Sequence, residues 1–145
     1  MLFGFVFKGI FFCYPFYMRY IFTNPNPKGA LIGDCAIRAV AIATGQSWDD
    51  AYKSLVEYGY RMKNLPNADS VWGAYLKDHG FERKAIPEDC PMCYTIRDFC
   101  RSHPKGTYVL ATGNHVVAVI DGNYYDTWDS GDEIPIMYWR KHGIL

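Results

Sequence analysis

The apolar positions of Cys35-Ala36-Ile37-Arg38-Ala39-Val40-Ala41-Ile42-Ala43 fall on nearly every side of a helix, which predicts a helix buried all round rather than half exposed. Asp34 before it is a favoured N-cap residue, and Gly45 after it supplies a stop. Ser47-Trp48-Asp49-Asp50 opens a second helix through about Met62, with Trp48, Ala51, Leu55 and Tyr58 at helical spacing. Asp69 or Ser70 caps a third helix over 71–78, ended by Gly80. Thr95-Ile96-Arg97-Asp98 caps a fourth to about His103. Strands are expected at 18–22, 81–86, 107–112, 115–120, 124–128 and 134–139, and Asp121-Gly122-Asn123 signals a hairpin. Helices first and an antiparallel sheet afterwards define the α+β class.

Composition narrows the picture. At 145 residues, half of them apolar, the chain has the size of one domain with its own core. Lys+Arg equals Asp+Glu, so there is no electrostatic case for nucleic acid or an anionic membrane. Seven of the nine phenylalanines fall in residues 1–22. Lys8 and Pro15 interrupt that run as a membrane span, and it lacks the basic start and cleavage site of a signal peptide. The expected division is therefore an aromatic appendage over 1–17 and a domain over 18–145. Five cysteines, an odd number without a repeated framework, argue for free thiols in a reducing compartment, hence the cytoplasm.

The chemistry centres on Cys35. A cysteine in the first helical turn lies among unpaired N–H groups and the positive end of the macrodipole, which favour its thiolate. Alone, it would read as a buried structural residue. His115, however, opens a strand just after Gly113-Asn114 and is the natural base for a thiol nucleophile. A three-residue Asp121-Gly122-Asn123 loop would pair Ile120 with Tyr124 and set His115 opposite Asp129. A two-residue Gly122-Asn123 loop would set Ser130 there instead. In either register Asp126 falls about three residues short, roughly 10 Å along the strand, so geometry favours Asp129 as the group that orients His115.

A cysteine heading a central helix, then a histidine at a strand start, then an acid on the next strand resembles the papain-like fold. The likeness is closest to compact bacterial and phage-type members related to the peptidase C39 group, and it covers about 18–139. It places Cys35 on the nucleophile and His115 on the general base. The Asp126-Thr127-Trp128 run resembles the family's Asn-Ser-Trp and points to Asp126 as the third member, against Asp129 from register. The usual oxyanion-hole glutamine is absent, with Gly29 near its position, so Asn26 or Asn24 is the side-chain donor available beside the Cys35 N–H. The Cys-Trp pair of classical papain enzymes is Cys35-Ala36 here.

A rival site is Cys90-Pro91-Met92-Cys93 with Cys100 and His103, which offers four possible tetrahedral zinc ligands. Only six residues separate the two pairs, fewer than in common structural zinc sites. The resulting expectation is a cofactor-independent thiol hydrolase or acyltransferase acting on a peptide or protein substrate. A non-catalytic interaction module of the same fold, carrying a small zinc knuckle, is the alternative.

Overall fold

A computed structural model describes residues 18–87 and 93–143; the expected appendage over 1–17 lies outside them, as does Cys90. The elements run β1 (Tyr20–Phe22), α1 (Cys35–Thr44), α2 (Trp48–Met62), α3 (Asp69–Asp78), β2 (Phe81–Ala85), α4 (Ile96–Ser102), β3 (Thr107–Ala111), β4 (Val116–Ile120), β5 (Asn123–Asp126) and β6 (Met137–Lys141). The architecture is α+β. One six-stranded sheet has the order β1-β5-β4-β3-β6-β2, antiparallel except for the parallel β1–β5 pair. Both edge strands come from the helical half of the chain, so the sheet is not purely C-terminal as its sequence order implied. Among the described residues no helix is long and apolar enough to cross a membrane.

Alternation along the strands builds two cores. Val109, Ala111, Val116, Ala118, Met137 and Trp139 join the buried residues of α1, α2 and α3 on one face. Tyr108, Leu110, Val117, Val119 and Tyr124 pack with α4 on the other. The two central strands are thus apolar on both faces, which is what their uninterrupted β-branched runs require. Helix α1 buries Ala36, Ile37, Arg38, Ala39, Val40, Ala41 and Ala43; four small alanines let it settle closely on β4.

Local signals were met where the cap is self-contained. Ser47 Oγ accepts the Asp50 N–H, Thr95 and Asp98 form a reciprocal capping box, and Gly45 ends α1 at φ +68°. Two expected caps are corrected. The Asp34 side chain makes no cap bond to α1, and α3 starts after Ala68, with the Asp69 carboxylate taking the Trp72 indole N–H instead. The last strand starts at Met137 instead of 134, since Ile134 and Ile136 are exposed ahead of it.

The β4–β5 turn decides where the acids of β5 fall. Ile120 pairs with Asn123, so the loop is Asp121-Gly122 alone, with both residues left-handed at φ +49° and +76°. Paired positive φ values match a two-residue type I′ hairpin, neither of the loops inferred above. A Cβ at Gly122 would also come within 3.3 Å of the Cys100 carbonyl oxygen. Gly122→Ala should therefore lower unfolding stability by about 1–2 kcal/mol, read as a drop in the urea midpoint at unchanged slope. An unchanged midpoint would contradict this turn and the register it sets.

Candidate active site

The site assembles where the start of α1 meets the β3–β4 turn. That turn is Gly113-Asn114, closed by the Thr112 N–H donating to the His115 carbonyl at 2.8 Å. It leaves His115 buried at the sheet end, immediately before β4. Cys35, half-buried, lies within hydrogen-bonding reach of the His115 ring and of the Val116 N–H. The β4–β5 register, continued outward, sets Trp128 opposite His115 and Asp126 opposite Val117. Asp126 is then diagonal to His115, a separation long side chains can bridge. His115 Nε2 and Asp126 Oδ2 are 2.5 Å apart, which leaves Nδ1 for the sulfur. The Trp128 ring lies 5.0 Å from the imidazole, tilted at 48° to it.

Asp129, favoured from register, does not orient His115. It accepts the Tyr124 hydroxyl at 2.5 Å and pairs with Arg97 at 2.9 Å. The hairpin loop is one residue shorter than the register argument assumed, which slides Asp126 into diagonal reach and carries Asp129 past it. Asp129 still serves the site from outside, because its tie to Arg97 anchors the loop that presents Ser130.

Asp126 is the most heavily used acceptor. It takes the Ser130 hydroxyl at 2.6 Å, the Thr127 N–H at 2.8 Å and Arg38 Nη2 at 3.3 Å, besides His115. Arg38 is itself buried, and its other nitrogen pairs with Asp34, whose second oxygen accepts the Trp48 indole N–H at 2.8 Å. A continuous polar chain therefore runs Trp48–Asp34–Arg38–Asp126–His115–Cys35 through an otherwise apolar junction. Arg38 received no role from the sequence, which marked Ser130 and Trp128 only as a register position and as part of a three-residue run. The available signal was an arginine alone in an all-apolar helix, which must be paired if it is buried, with Asp34 one turn away to pair it.

These contacts set the charges. Burial pushes the Cys35 thiol up, yet the hydrogen bonds from His115 and Val116 and the positive charges of His115 and Arg38 outweigh it, leaving the thiol below its ordinary value. Burial likewise works against His115 protonation, but the bonds to Asp126 and Cys35 win and push the imidazolium up to about 9. Asp126, despite burial, is held below the usual carboxylate range by His115 and Ser130. Both shifts run in the direction that favours a thiolate beside an imidazolium.

Of the oxyanion candidates, Asn24 is consumed by its loop: Nδ2 donates to the Ala30 carbonyl and Oδ1 accepts the Asn26 N–H. Asn26 is buried, and its Oδ1 accepts the Lys28 N–H at 2.9 Å. Among the described residues nothing takes its Nδ2, which is the donor left over. The zinc candidates are dispersed in environment. Cys93 is exposed, while Cys100 is buried in the α4-side core with its thiol pushed up to about 12 by burial. The His103 ring stacks on Phe99 at 3.9 Å, and its Nδ1 donates to the Phe99 carbonyl. Among the described residues no three His, Cys, Asp or Glu side chains converge as a metal site would need.

Comparison of the chain with family models, with curated proteins and with solved structures gives no match. Asp126→Asn should slow alkylation of Cys35 by iodoacetamide at mildly acid pH by about tenfold or more, because one unit of pKa is a factor of ten in thiolate population. Asp129→Asn should change it by no more than about twofold, since Asp129 bonds Tyr124, Arg97 and Gly131 and neither His115 nor Asp126. The reverse ranking would return the orienting role to Asp129. His115 also links stability to pH. The folded protein keeps its proton to about 9 and the unfolded chain only to about 6.5, so its contribution is complete below the lower value and lost as pH rises through the upper one. The stability gap between wild type and His115→Gln should close across that window; a constant gap would contradict the raised value.

Proposed function

We propose that this domain is a papain-like thiol hydrolase or acyltransferase that acts on a peptide, isopeptide or related acyl bond. The observation that carries the reading is the Cys35–His115–Asp126 chain, with a half-exposed sulfur at one end and a fully hydrogen-bonded carboxylate at the other. The order of the three residues along the chain, and the elements that bear them, support the same fold assignment.

In the proposed cycle the Cys35 thiolate adds to the acyl carbon, and the carbonyl electrons move onto oxygen. The Cys35 N–H and Asn26 Nδ2 stabilise that oxyanion. Collapse breaks the bond to the leaving group, which takes the proton from the His115 imidazolium, and leaves a thioester on Cys35. Neutral His115 then removes a proton from water, or from an acceptor amine, as it attacks the thioester. The acyl product departs, and the thiolate–imidazolium pair is restored. Asp126 keeps the ring oriented and the imidazolium favoured throughout. The cycle draws on protein groups alone. A nucleophile of this kind stays active where thiols stay reduced, in keeping with the cytoplasmic setting inferred from the cysteines.

The test is a fluorogenic peptide library together with intact-mass detection of a trapped acyl-enzyme. Cleavage and a mass increase on Cys35 are expected in wild type, and neither in Cys35→Ala. Asn26→Ala should lower kcat by about 10²–10³-fold with KM little changed. The kcat/KM profile should be bell-shaped, rising through the lowered Cys35 pKa and falling as His115 loses its proton near pH 9. No acylation by any substrate or acyl-directed inhibitor, with Cys35 unreactive, would point to a binding module instead.

A further inference from the structure

A second site lies on the helical face of the sheet, at its β2 edge. Arg83 is the cross-strand partner of Trp139, so the two share a face, and Trp139 with Met137 belongs to the α1–α3 core on that face. Helix α3 covers this corner with Asp69, Ser70, Gly73, Ala74 and Lys77. A cleft of about 440 Å³ remains between the two surfaces, within the ~300–1,000 Å³ of small-molecule sites. Helix α3 packs tightly on the strands at Gly73, where a Cβ would stand 2.9 Å from Cζ2 of Trp139.

The cleft combines positive charge with apolar walls. Trp139 is 7% exposed, and its Nε1–H, the one buried side-chain polar atom without a partner among the described residues, stands beside the cleft as a reporter of what fills it. The adjoining Cζ2 edge packs against Gly73 in the cleft wall. Lys77 and Arg83 are exposed cations, and among the described residues neither pairs with an acid. Arg83 Nε donates to Met137 Sδ at 3.2 Å, which fixes the guanidinium over β6 with its outer nitrogens free for a forked contact. Two cations against the single Asp69 carboxylate leave a surplus of one positive charge, which suits a monoanion better than a phosphate dianion. The Trp139, Met137 and Ala74 surfaces suit an apolar body.

We propose that the α3/β2–β6 cleft binds a monocarboxylate carried on an apolar body, the carboxylate at Lys77 and Arg83 and the body along Met137, Ala74 and the exposed rim of Trp139. This goes beyond the catalytic reading and stands whether or not Cys35 is a nucleophile. The probe is N-acetyl-L-phenylalanine, with N-acetyl-L-phenylalaninamide as its neutral isostere, titrated into the full chain with ¹⁵N-labelled indoles. Trp139→Phe assigns the resonance. A saturable shift of the Trp139 N–H is expected, about tenfold weaker or more with the amide and in Lys77→Gln/Arg83→Gln. Both substituted side chains are exposed, so that variant should melt as wild type does. A shift that never saturates, equal affinity for the amide, or an unaltered response in the double variant would overturn the proposal. So would movement of the Trp128 resonance instead, which would place the carboxylate at the Cys35 site.

Discussion

Arg38 is the constraint on which the site depends. A guanidinium buried in an apolar helix is tolerable only if carboxylates meet it with good geometry, and removing one partner of such a pair typically costs ~3–5 kcal/mol. Here the partners come from two directions: Asp34, one turn back on the same helix, and Asp126, at the end of β5. Satisfying Arg38 therefore fixes the start of α1 against the end of β5. Cys35 lies between Asp34 and Arg38 in sequence, and His115 is bonded to Asp126, so the same requirement brings sulfur and imidazole together. Trp48 extends the constraint to α2 through its bond to Asp34.

The arrangement also divides the electrostatic work. Asp126 accepts from four donors, so its negative charge is stabilised several times over and it does not compete with His115 for the proton. His115 holds the proton because Asp126 sits on one side of the ring and an incipient thiolate on the other. Cys35 can ionise because His115, the Val116 N–H and the nearby Arg38 charge together outweigh its burial. Charges alternate along the chain from Asp34 to Cys35, and each stands beside an opposite one. Low local dielectric strengthens such a sequence when every member is paired and penalises it steeply when one is missing. Of these five groups only Cys35 is half-buried, the other four being buried.

Much of this was legible in the sequence because it is local. The all-round apolar helix behind Cys35, the Ser47 cap and the Thr95–Asp98 box each depend on neighbours within a turn, as does His115 at a strand start. What the sequence hid depends on distant partners. Asp34 looks like an N-cap because aspartate is good at that position, but a buried cation four residues on claims its carboxylate. Asp121-Gly122-Asn123 holds three residues that all favour turns, so composition alone permits several registers, and a one-residue difference exchanges Asp126 for Asp129. The spacing of Cys90, Cys93, Cys100 and His103 suggested a metal site, whereas burial of Cys100 on the inner face of α4 is a property of packing that spacing does not encode. The Asp126-Thr127-Trp128 run pointed at Asp126 where register arithmetic pointed away, because that arithmetic started from a loop one residue longer than the Asp121-Gly122 turn.

The central claim is that Cys35 and His115 form an ion pair held by Asp126. The most direct measurement is the ultraviolet absorbance of the thiolate as a function of pH, taken as the difference between wild type and Cys35→Ser. The account predicts a step for one thiolate well below the ordinary cysteine value of ~8.5, and the loss of that low step in His115→Ala. A single step at the ordinary value, the same with and without His115, would contradict it.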